Sequence, residues 1–403
     1  MADPTEPSAN QAASLADQTL CIARSMAPAD GFASLTVPIH RASTIVFPDA
    51  EAYLNRNNHG PDSYSYGLHG TPTNRTLEAQ IAALEGGAHA LVVPSGLSAI
   101  TLVLAAFLKP GESVLVPDTV YPPVRSFCDQ YLTSVGITTT YYDPLLGASI
   151  AELIDASVRL ILVESPGSTT MEVQDVPAIV AAAKARGVLV ACDNAWATPL
   201  LFKPLAHGAD FAIEAVSKYM GGHSDLLMGS VAVTDFTLFT RLKDAFKLWG
   251  LGVSPDDCSL ALRGLETLAV RLERSGAAAN DLAHWLQDQT GIERVLYPPL
   301  LDSPGHAEWR RDFHGASGVF TVVIEQRYAP VIPTALSRLR LFAIGASWGG
   351  TRSIVAPMDI ASARTVRPWN GGLSLLRFSI GLECIDDLKA DLKRLLIGLS
   401  AKT

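Results

Sequence analysis

Three stretches of the sequence place polar residues where a buried strand is predicted to end. Residues 94–98 (PSGLS) join an apolar run to a helical pattern, Asp193 follows the apolar run VLVAC, and Lys218 ends the run DFAIEAVSK. In an open α/β sheet, ligands bind outside the carboxyl ends of the strands, so we expect these stretches at one edge of the sheet. Each also has an ordinary explanation: a strand–helix turn, an Asx turn or helix cap, and a surface lysine.

These residue types together suit the chemistry of one cofactor. Free backbone N–H groups at a helix N-terminus bind phosphate, and a lysine can form a Schiff base with a carbonyl cofactor. Pyridoxal phosphate (PLP) needs such a lysine, a phosphate site and a carboxylate for its pyridinium nitrogen. The sequence therefore predicts that Lys218 holds PLP, that Asp193 faces its ring nitrogen and that Ser217 is placed to touch its phosphate.

The elements that must position these residues alternate along the chain from about residue 75. Apolar, β-rich runs predict strands, and runs with helical spacing predict helices. Such alternation indicates a mostly parallel sheet with helices on both faces. The predicted strands are HALVVP, ESVLVPD, ITTTYYD, VRLILVES, VLVACDNA and DFAIEAVS. The predicted helices are NRTLEAQIAALEGG, LSAITLVLAAFL, VRSFCDQYLTSVG and VPAIVAAAKARG.

Further along the chain the pattern changes. The segment LALRGLETLAVRLERSGAAANDLAHWLQDQ predicts a long amphipathic helix with a kink near Ser275 and Gly276. Strands GVFTVVIE and LLRFSIGLE and a terminal helix, CIDDLKADLKRLLIGLS, then predict a smaller α+β domain. We place an N-terminal arm and segment at residues 1–70, a large PLP-binding domain at 71–260 and a C-terminal domain at 261–403.

Composition argues against several other classes of protein. The 403 residues are 48% hydrophobic and 18% charged, which is typical of a well-packed globular protein. The net charge is −9 and no dense Lys/Arg cluster is present, which argues against nucleic-acid binding. The five cysteines are scattered and form no CxxC pair, so we expect no metal site and no disulfide framework. A reducing, cytoplasmic location fits best.

Two segments bear on secretion and membranes. The first twenty residues contain acidic residues and no apolar core, so no signal peptide is predicted, and roughly the first fifteen are predicted to form a mobile arm. Residues 90–108 carry no charge and are long enough to span a bilayer. Pro94, Ser95 and Gly96 interrupt this run near its start, so a buried strand, a turn and a buried helix are predicted instead.

An ordered set of motifs runs along the chain: YGLHGTPTNRTLEAQIAALEGG, PSGLSAI, LVESPGSTTMEVQDVPAIVAAA, DNAWATP, SKYMGGHSD, ASWGG and LLRFSIGLE. This set resembles the Cys/Met-metabolism family of PLP-dependent enzymes, and within it most resembles the bacterial cystathionine β-lyases. The resemblance covers nearly the whole chain after the arm. It implies a PLP-dependent transferase of fold type I, with a mostly parallel, seven-stranded-type sheet and a smaller C-terminal α+β domain. It also implies a homotetramer built from active-site dimers and a sulfur amino acid as substrate.

The resemblance assigns the cofactor-binding residues by motif match. Lys218 is the expected Schiff-base lysine, and Asp193 is the expected pyridinium partner. Gly96 and Leu97 are expected to offer backbone N–H groups to the phosphate, and Ser217 its hydroxyl.

The resemblance also assigns four residues around the substrate. Tyr121 is expected to stack on the cofactor ring and to take part in proton transfer, and Tyr66 to reach the phosphate of the neighbouring subunit. Arg377 is expected to pair with the substrate α-carboxylate, for which a planar guanidinium is suited. Trp348 is expected to line the pocket. As ordinary alternatives, the aromatic residues could be packed side chains and Arg377 a structural ion-pair partner.

The sequence departs from the family pattern at two places. The family usually carries an arginine two residues after the phosphate-contacting tyrosine, where this chain has Leu68. The neighbouring His69 is a poor substitute, because adjacent residues on an extended segment point to opposite faces. After SWGG, the related β-lyases usually carry an aromatic residue and a glutamate, where this chain has Thr351 and Arg352. Arg352 could select a substrate with a distal acidic group or form a solvent-facing salt bridge.

The function expected from this resemblance is PLP-dependent carbon–sulfur β-lysis. The substrate would be cystathionine or a related cysteine S-conjugate, and the products a thiol, pyruvate and ammonia. One alternative is an enzyme of the same fold that catalyses γ-elimination, γ-replacement or a specialised biosynthetic reaction. Another is a PLP-binding regulator with vestigial activity, against which the presence of Lys218, Asp193 and Arg377 argues.

Overall fold

The structure is a computed structural model that describes residues 15–22, 34–56, 60–371 and 374–400. The arm predicted over roughly the first fifteen residues lies almost entirely outside these ranges.

A seven-stranded sheet forms the larger part of the fold. Its strands are β1 His89–Val93, β2 Ser113–Pro117, β3 Thr138–Tyr142, β4 Val158–Glu164, β5 Leu189–Asp193, β6 Phe211–Glu214 and β7 Gly229–Val233. They lie in the order β1-β7-β6-β5-β4-β2-β3. Only β7 runs antiparallel to its neighbours, β1 and β6, so the predicted mostly parallel sheet is confirmed. Sequence analysis missed β7.

The central strands are buried on both faces, as expected for a parallel sheet covered by helices. In β4, the side chains of Leu160 and Leu162 join one apolar cluster, whereas Ile161 and Val163 join a second cluster. Alternation of side chains along a strand places these clusters on opposite faces of the sheet. The continuous apolar run of β4 thus reflects burial on both sides.

The four predicted helices that flank this sheet are present in the predicted order, whereas sequence analysis missed the helices at Thr198–Leu201 and Phe236–Trp249. Two short helices precede them. In its described ranges, the structure lacks any helix that is long and apolar enough to span a bilayer. Residues 90–108 form β1, a turn and a helix, as predicted. The helices are α1 Asp17–Leu20, α2 Ala50–Leu54, α3 Pro72–Glu85, α4 Gly96–Phe107, α5 Pro122–Ser126, which continues as a π-helix over Phe127–Leu132, α6 Val176–Lys184, α7 Thr198–Leu201 and α8 Phe236–Trp249.

The long helix predicted after residue 255 is two helices, α9 Pro255–Glu266 and α10 Leu268–Gln287. The break lies at Thr267, so the predicted kink near Ser275 and Gly276 is wrong. Gly276 instead allows close packing, because a Cβ at this position would lie 2.2 Å from the Ala316 carbonyl oxygen. The small residue lets α10 approach the chain that leads into the second sheet.

The C-terminal part of the chain forms a second, five-stranded sheet with its own helices. Its strands are β8 Ile292–Leu296, β9 Val319–Ile324, β10 Ala343–Ile344, β11 Ile354–Met358 and β12 Leu375–Ser379, in the order β10-β11-β12-β9-β8. The helices are α11 His306–Asp312, α12 Ile332–Leu336 and α13 Ile385–Ser400. The predicted α/β architecture with a smaller C-terminal α+β unit is therefore confirmed. The residue limits of the domains stay a prediction.

Candidate active site

A cavity of about 340 Å³ opens at the carboxyl edge of the larger sheet and reaches the second sheet. It brings together every predicted site residue except Tyr66, which is half-exposed and does not line it. Residues from both sheets line the cavity. Its position outside the carboxyl ends of the strands is expected for a ligand site in an open α/β fold. The predicted residues that line the cavity are Gly96, Leu97, Tyr121, Asp193, Ser217, Lys218, Trp348 and Arg377.

The first turn of α4 forms an anion-binding wall of the cavity. Ser95 caps the helix, and its hydroxyl oxygen accepts the Ser98 N–H at 3.0 Å. In the described ranges, no hydrogen bond uses the amides of Gly96 or Leu97. A Cβ on Gly96 would lie 2.7 Å from the Ala215 Cβ, so this close approach favours glycine. The two unused amides can bind a phosphate.

Lys218 does not end a strand, as the sequence had suggested. β6 ends at Glu214, because the chain then turns towards β7 and its ladder stops. Ser217 ties this turn to the start of β7: its hydroxyl accepts the Met228 N–H at 2.8 Å and donates to the Met228 carbonyl at 3.1 Å. A phosphate contact from Ser217 therefore requires its hydroxyl proton to turn away from Met228.

The surroundings of the Lys218 amine lower its pKa. Its Nζ donates to the Ser347 Oγ at 2.7 Å and lies 5.2 Å from the centre of the Trp348 ring. Burial, and then the Arg377 guanidinium, lower the pKa of Lys218 to about 8, against the opposing effect of Asp193. A lysine with such a pKa is partly neutral near physiological pH and can attack a carbonyl carbon.

Asp193 is the last residue of β5, and its carboxylate lies at the cavity wall. One oxygen accepts the Ala195 N–H at 3.0 Å. Burial raises the pKa of Asp193 to about 6, while the Ala195 amide and the Lys218 ammonium act in the opposite direction. A cation placed against this carboxylate would be stabilised, and would in turn favour the ionised form of Asp193.

Glu164 is a cavity residue that sequence analysis missed. It is the last residue of β4 and the cross-strand neighbour of Asp193. Its Oε2 accepts the Tyr121 N–H at 2.7 Å. Burial, and then the charge of Asp193, raise the pKa of Glu164 to about 8. Glu164 ends the apolar run VRLILVE, just as Asp193 follows the apolar run VLVAC, so the same sequence pattern could have identified it.

Tyr121 lies at the N-cap of α5 with its ring 42% exposed towards the cavity mouth. Burial of the hydroxyl raises its pKa, although the nearby Arg377 guanidinium acts in the opposite direction. The exposed ring and its anchored backbone amide fit a side chain that stacks on a ligand.

A clamp joins the loop that carries Tyr121 to the second sheet's segment at residues 364–367. The fully buried Asp118 carboxylate accepts the N–H groups of Thr365, Val366 and Arg367 at 2.9 to 3.2 Å. Arg125 also donates to this carboxylate at 2.7 Å. Sequence analysis missed this clamp, because its two halves are far apart in the chain.

Arg377 reaches the cavity from β12 in the second sheet. Its guanidinium is only 8% exposed and donates to the Ala346 carbonyl oxygen. Burial lowers the pKa of Arg377, and Tyr121 partly offsets this effect. Trp348, beside it on the same wall, packs against Tyr219 with ring centres 5.6 Å apart. A planar guanidinium held in this way suits bidentate binding of a carboxylate.

The residues that depart from the family pattern lie outside the cavity lining. Leu68 is partly buried against Gly252, where an added Cβ would lie 2.7 Å from the Leu68 Cδ1. Arg352 is exposed.

The arrangement fits PLP on observations of this structure. One cavity holds an amine of lowered pKa, a carboxylate that would pair with a ring nitrogen, and unused helix amides behind a glycine. These are the three groups that PLP needs from a protein. Across the described ranges, no group of His, Cys, Asp and Glu side chains could hold a metal ion.

Several known proteins are similar to this chain over most of its length. The sequence model of the Cys/Met metabolism PLP-dependent enzymes matches residues 18–397. A putative cystathionine β-lyase of Rhizobium johnstonii is 41% identical over 378 residues, which cover 93% of this chain and 94% of the relative. An L-alanine/L-glutamate racemase of Wolbachia pipientis is 39% identical over 378 residues, which cover 91% of this chain and 93% of the relative.

The fold is also found among solved structures. The crystal structure of a cystathionine γ-synthase from Xanthomonas oryzae in complex with cystathionine superposes with a TM-score of 0.88 at 30% identity. The match covers 96% of this chain and all of that one. The predicted fold type I of PLP-dependent transferases is thereby confirmed, and PLP is the cofactor that the family implies. The chain belongs to the Cys/Met-metabolism family of PLP-dependent enzymes.

Proposed function

We propose that this enzyme is a PLP-dependent carbon–sulfur β-lyase that acts on cystathionine or related cysteine S-conjugates. Water and the S-conjugate are converted to a thiol, pyruvate and ammonia. The Cα–H and Cβ–S bonds break, and the sulfur leaves with the electron pair of its bond and takes up a proton. No oxidant or reductant is needed.

The residues of the cavity have distinct roles in this proposal. PLP would supply an electron sink for the bond-breaking steps. Lys218 would hold the cofactor and would remove the α-proton of the substrate. Asp193 would keep the ring nitrogen protonated, and Arg377 would fix the substrate α-carboxylate. Tyr121 would stack on the ring, and the amides of Gly96 and Leu97 would bind the phosphate.

The observation that carries the proposal is the position of the Lys218 amine. Its pKa is lowered to about 8, so it can serve both as nucleophile and as base near neutral pH. The charges of both Arg377 and Asp193 act on this amine, which supports a reacting centre served by a carboxylate partner and a ring-nitrogen partner. The names of several similar proteins support the β-lyase assignment.

Two similar proteins with other functions indicate two alternative reactions. The similar Xanthomonas structure is a γ-synthase and the similar Wolbachia protein is a racemase. The three reactions share removal of the α-proton, so the same cavity would serve each of them. They differ in what happens next, and product analysis separates them.

Purified holoenzyme should be incubated with a panel of sulfur amino acids and, separately, with L-alanine and L-glutamate, and the keto acids and D-amino acids identified. Pyruvate with an equimolar amount of thiol supports β-lysis. Production of 2-oxobutyrate supports γ-elimination, and racemised alanine or glutamate without keto acid supports a racemase; either would overturn the proposal. Lys218→Ala protein is the control, since product formed by this variant would not come from the proposed site.

We also propose that the site is shared between subunits of a homotetramer built from active-site dimers. Tyr66 would reach the phosphate in the neighbouring subunit. Its ring is 49% exposed and stands outside the cavity of its own chain, which suits a contact made elsewhere.

A further inference from the structure

The charged side chains of the cavity are concentrated around the reacting centre. Four charged residues line it: Glu164, Asp193, Lys218 and Arg377. Their charges act on one another, since Asp193 shifts the pKa of Glu164 and both Asp193 and Arg377 shift that of Lys218. In the proposed function, Asp193, Lys218 and Arg377 serve the cofactor and the α-amino acid end of the substrate. Glu164, whose pKa is raised to about 8, is mostly protonated near neutral pH and accepts the Tyr121 N–H, so no charge is left for the opposite end of a substrate.

The remainder of the described lining carries no formal charge. It consists of aliphatic, aromatic and small polar residues. Leu226 is buried, whereas its neighbour Leu227 is 73% exposed, so an aliphatic side chain stands at the opening of the cavity. The larger apolar members include Leu97, Met171, Trp196, Leu226, Leu227 and Trp348.

The part of the segment around Tyr66, residues 66–69, contains no carboxylate, lysine or arginine. It carries Tyr66, Leu68 and His69. Burial, and then the cations around it, lower the pKa of His69, which favours the neutral form of its ring. The nearby Arg75 is turned inwards, where it binds Glu78 and the His69 carbonyl oxygen.

We propose that the preferred substrate is a cysteine S-conjugate with an uncharged, apolar S-substituent, such as an S-alkyl or S-arylmethyl cysteine. This inference rests on the proposed function and specifies its substrate class. The far end of cystathionine carries an ammonium and a carboxylate, and burying such charges without partners is unfavourable. An alkyl or benzyl group instead gains free energy by leaving water against the leucine, methionine and tryptophan side chains.

The test compares S-conjugates whose substituents are nearly equal in size and differ in charge. S-butyl-, S-(3-carboxypropyl)- and S-(3-aminopropyl)-L-cysteine are suitable, with L-cystathionine as the fourth substrate. Thiol and pyruvate release give kcat/KM for each. We expect the butyl compound to exceed each charged compound by about tenfold or more, a factor that corresponds to about 1.4 kcal/mol. Equal values, or a preference for cystathionine or another charged compound, would overturn the inference.

A matched pair of variants shows whether the cavity mouth sets this preference. Leu227→Lys should lower kcat/KM for the butyl compound and raise it for the carboxypropyl compound. Leu301→Lys, at a residue that is 84% exposed and outside the cavity lining, should leave the ratio unchanged. If Leu227→Lys leaves the ratio of kcat/KM for the butyl and carboxypropyl compounds unchanged, the apolar side chain at the cavity mouth does not set the preference. Failure of every compound to release pyruvate would instead refute the proposed function, so the two failures are distinguishable.

Discussion

Glu85 and Glu214 bring two carboxyl groups together in the core, where the end of α3 meets β6. The side chains are 0% and 1% exposed. Neither oxygen of Glu85 has a hydrogen-bond donor among the described residues, and Oε1 of Glu214 also lacks one. Burial raises the pKa of Glu85 to about 8, and burial and the charge of Glu85 raise that of Glu214 well above its usual value. The pair therefore retains a proton at neutral pH.

This carboxyl pair predicts a stability that falls as the pH rises. The folded-state pKa of Glu85 lies above its unfolded value of 4.5, so its contribution is fully present below about pH 4.5 and is lost as the pH rises through about 8. Glu85→Gln should therefore raise the free energy of unfolding at pH 8 by about 1 kcal/mol or more, because one pKa unit corresponds to about 1.4 kcal/mol. Urea unfolding of both proteins at pH 5.5 and 8 measures the effect.

The matched control for this prediction is Glu152→Gln, which changes an exposed carboxylate. It should leave the dependence of stability on pH close to that of the unmodified protein. If Glu85→Gln also leaves that dependence unchanged, the pair does not titrate as described.

The Asp193→Asn variant should bind PLP and lose most of its activity. The amide keeps the shape of the side chain and can still accept the Ala195 N–H, but it cannot stabilise a protonated ring nitrogen as a carboxylate does. We expect kcat to fall by about a hundredfold or more, in the range that positioned acid–base groups contribute. Cofactor absorbance would report binding separately from turnover. Near-normal kcat in a variant that binds PLP would remove Asp193 from its proposed role.

The strand-end residues could be predicted from their own sequence pattern, whereas Arg377, which the second sheet contributes, could be assigned only through the resemblance to the family. Asp193 closes a recognisable apolar strand, and the same signal was present but unused at Glu164. Arg377 reaches the cavity from a different sheet, and no local pattern indicates which residues a tertiary contact brings together. Lys218 was found for its chemistry although its strand ends four residues earlier, at Glu214, because hydrophobic patterns do not mark where a ladder stops.

The Asp118 clamp predicts a variant that is both less stable and less active. Asp118→Asn replaces one carboxylate oxygen with an amide that cannot accept hydrogen bonds, while Thr365, Val366 and Arg367 still present their N–H groups. Hydrogen bonds to charged groups contribute roughly 1.5–3 kcal/mol each, so we expect a loss of about 2 kcal/mol in the free energy of unfolding. KM should rise, because the clamp positions the loop that carries Tyr121.

Denaturant unfolding and steady-state kinetics on the same preparation measure both effects. Asp359→Asn is the control, since its exposed carboxylate accepts one N–H, that of Ala361, at 3.1 Å. It should change neither quantity appreciably. If Asp118→Asn lowers the free energy of unfolding without changing KM, the clamp stabilises the fold but does not position Tyr121.

A site shared between subunits predicts that two inactive variants restore activity when mixed. Lys218→Ala removes the amine from one site, and Tyr66→Ala removes the proposed contribution to the neighbouring site. A mixed dimer contains one site that carries both defects and one that carries neither, so up to about a quarter of the activity should return after random exchange of subunits. Mass spectrometry verifies the mixed dimers. Verified mixed dimers without activity would favour a site contained in one chain.

The last prediction concerns the phosphate contact that the family pattern places at residue 68. If Leu68 occupies the position of a phosphate-binding arginine, one charge-assisted hydrogen bond is absent, and such bonds contribute roughly 1.5–3 kcal/mol. Leu68→Arg should then tighten PLP binding by about tenfold or more, since 1.4 kcal/mol corresponds to a factor of ten. Leu248→Arg, at a residue that is 83% exposed on α8, is the control for a general effect of added positive charge. The dissociation constant of PLP in each protein is measured by cofactor fluorescence after dialysis. An affinity that improves in Leu68→Arg alone would show that an anchor had been lost. Equal affinities in all three proteins would mean that the unused amides of Gly96 and Leu97, with other groups around the phosphate, already hold the cofactor in full.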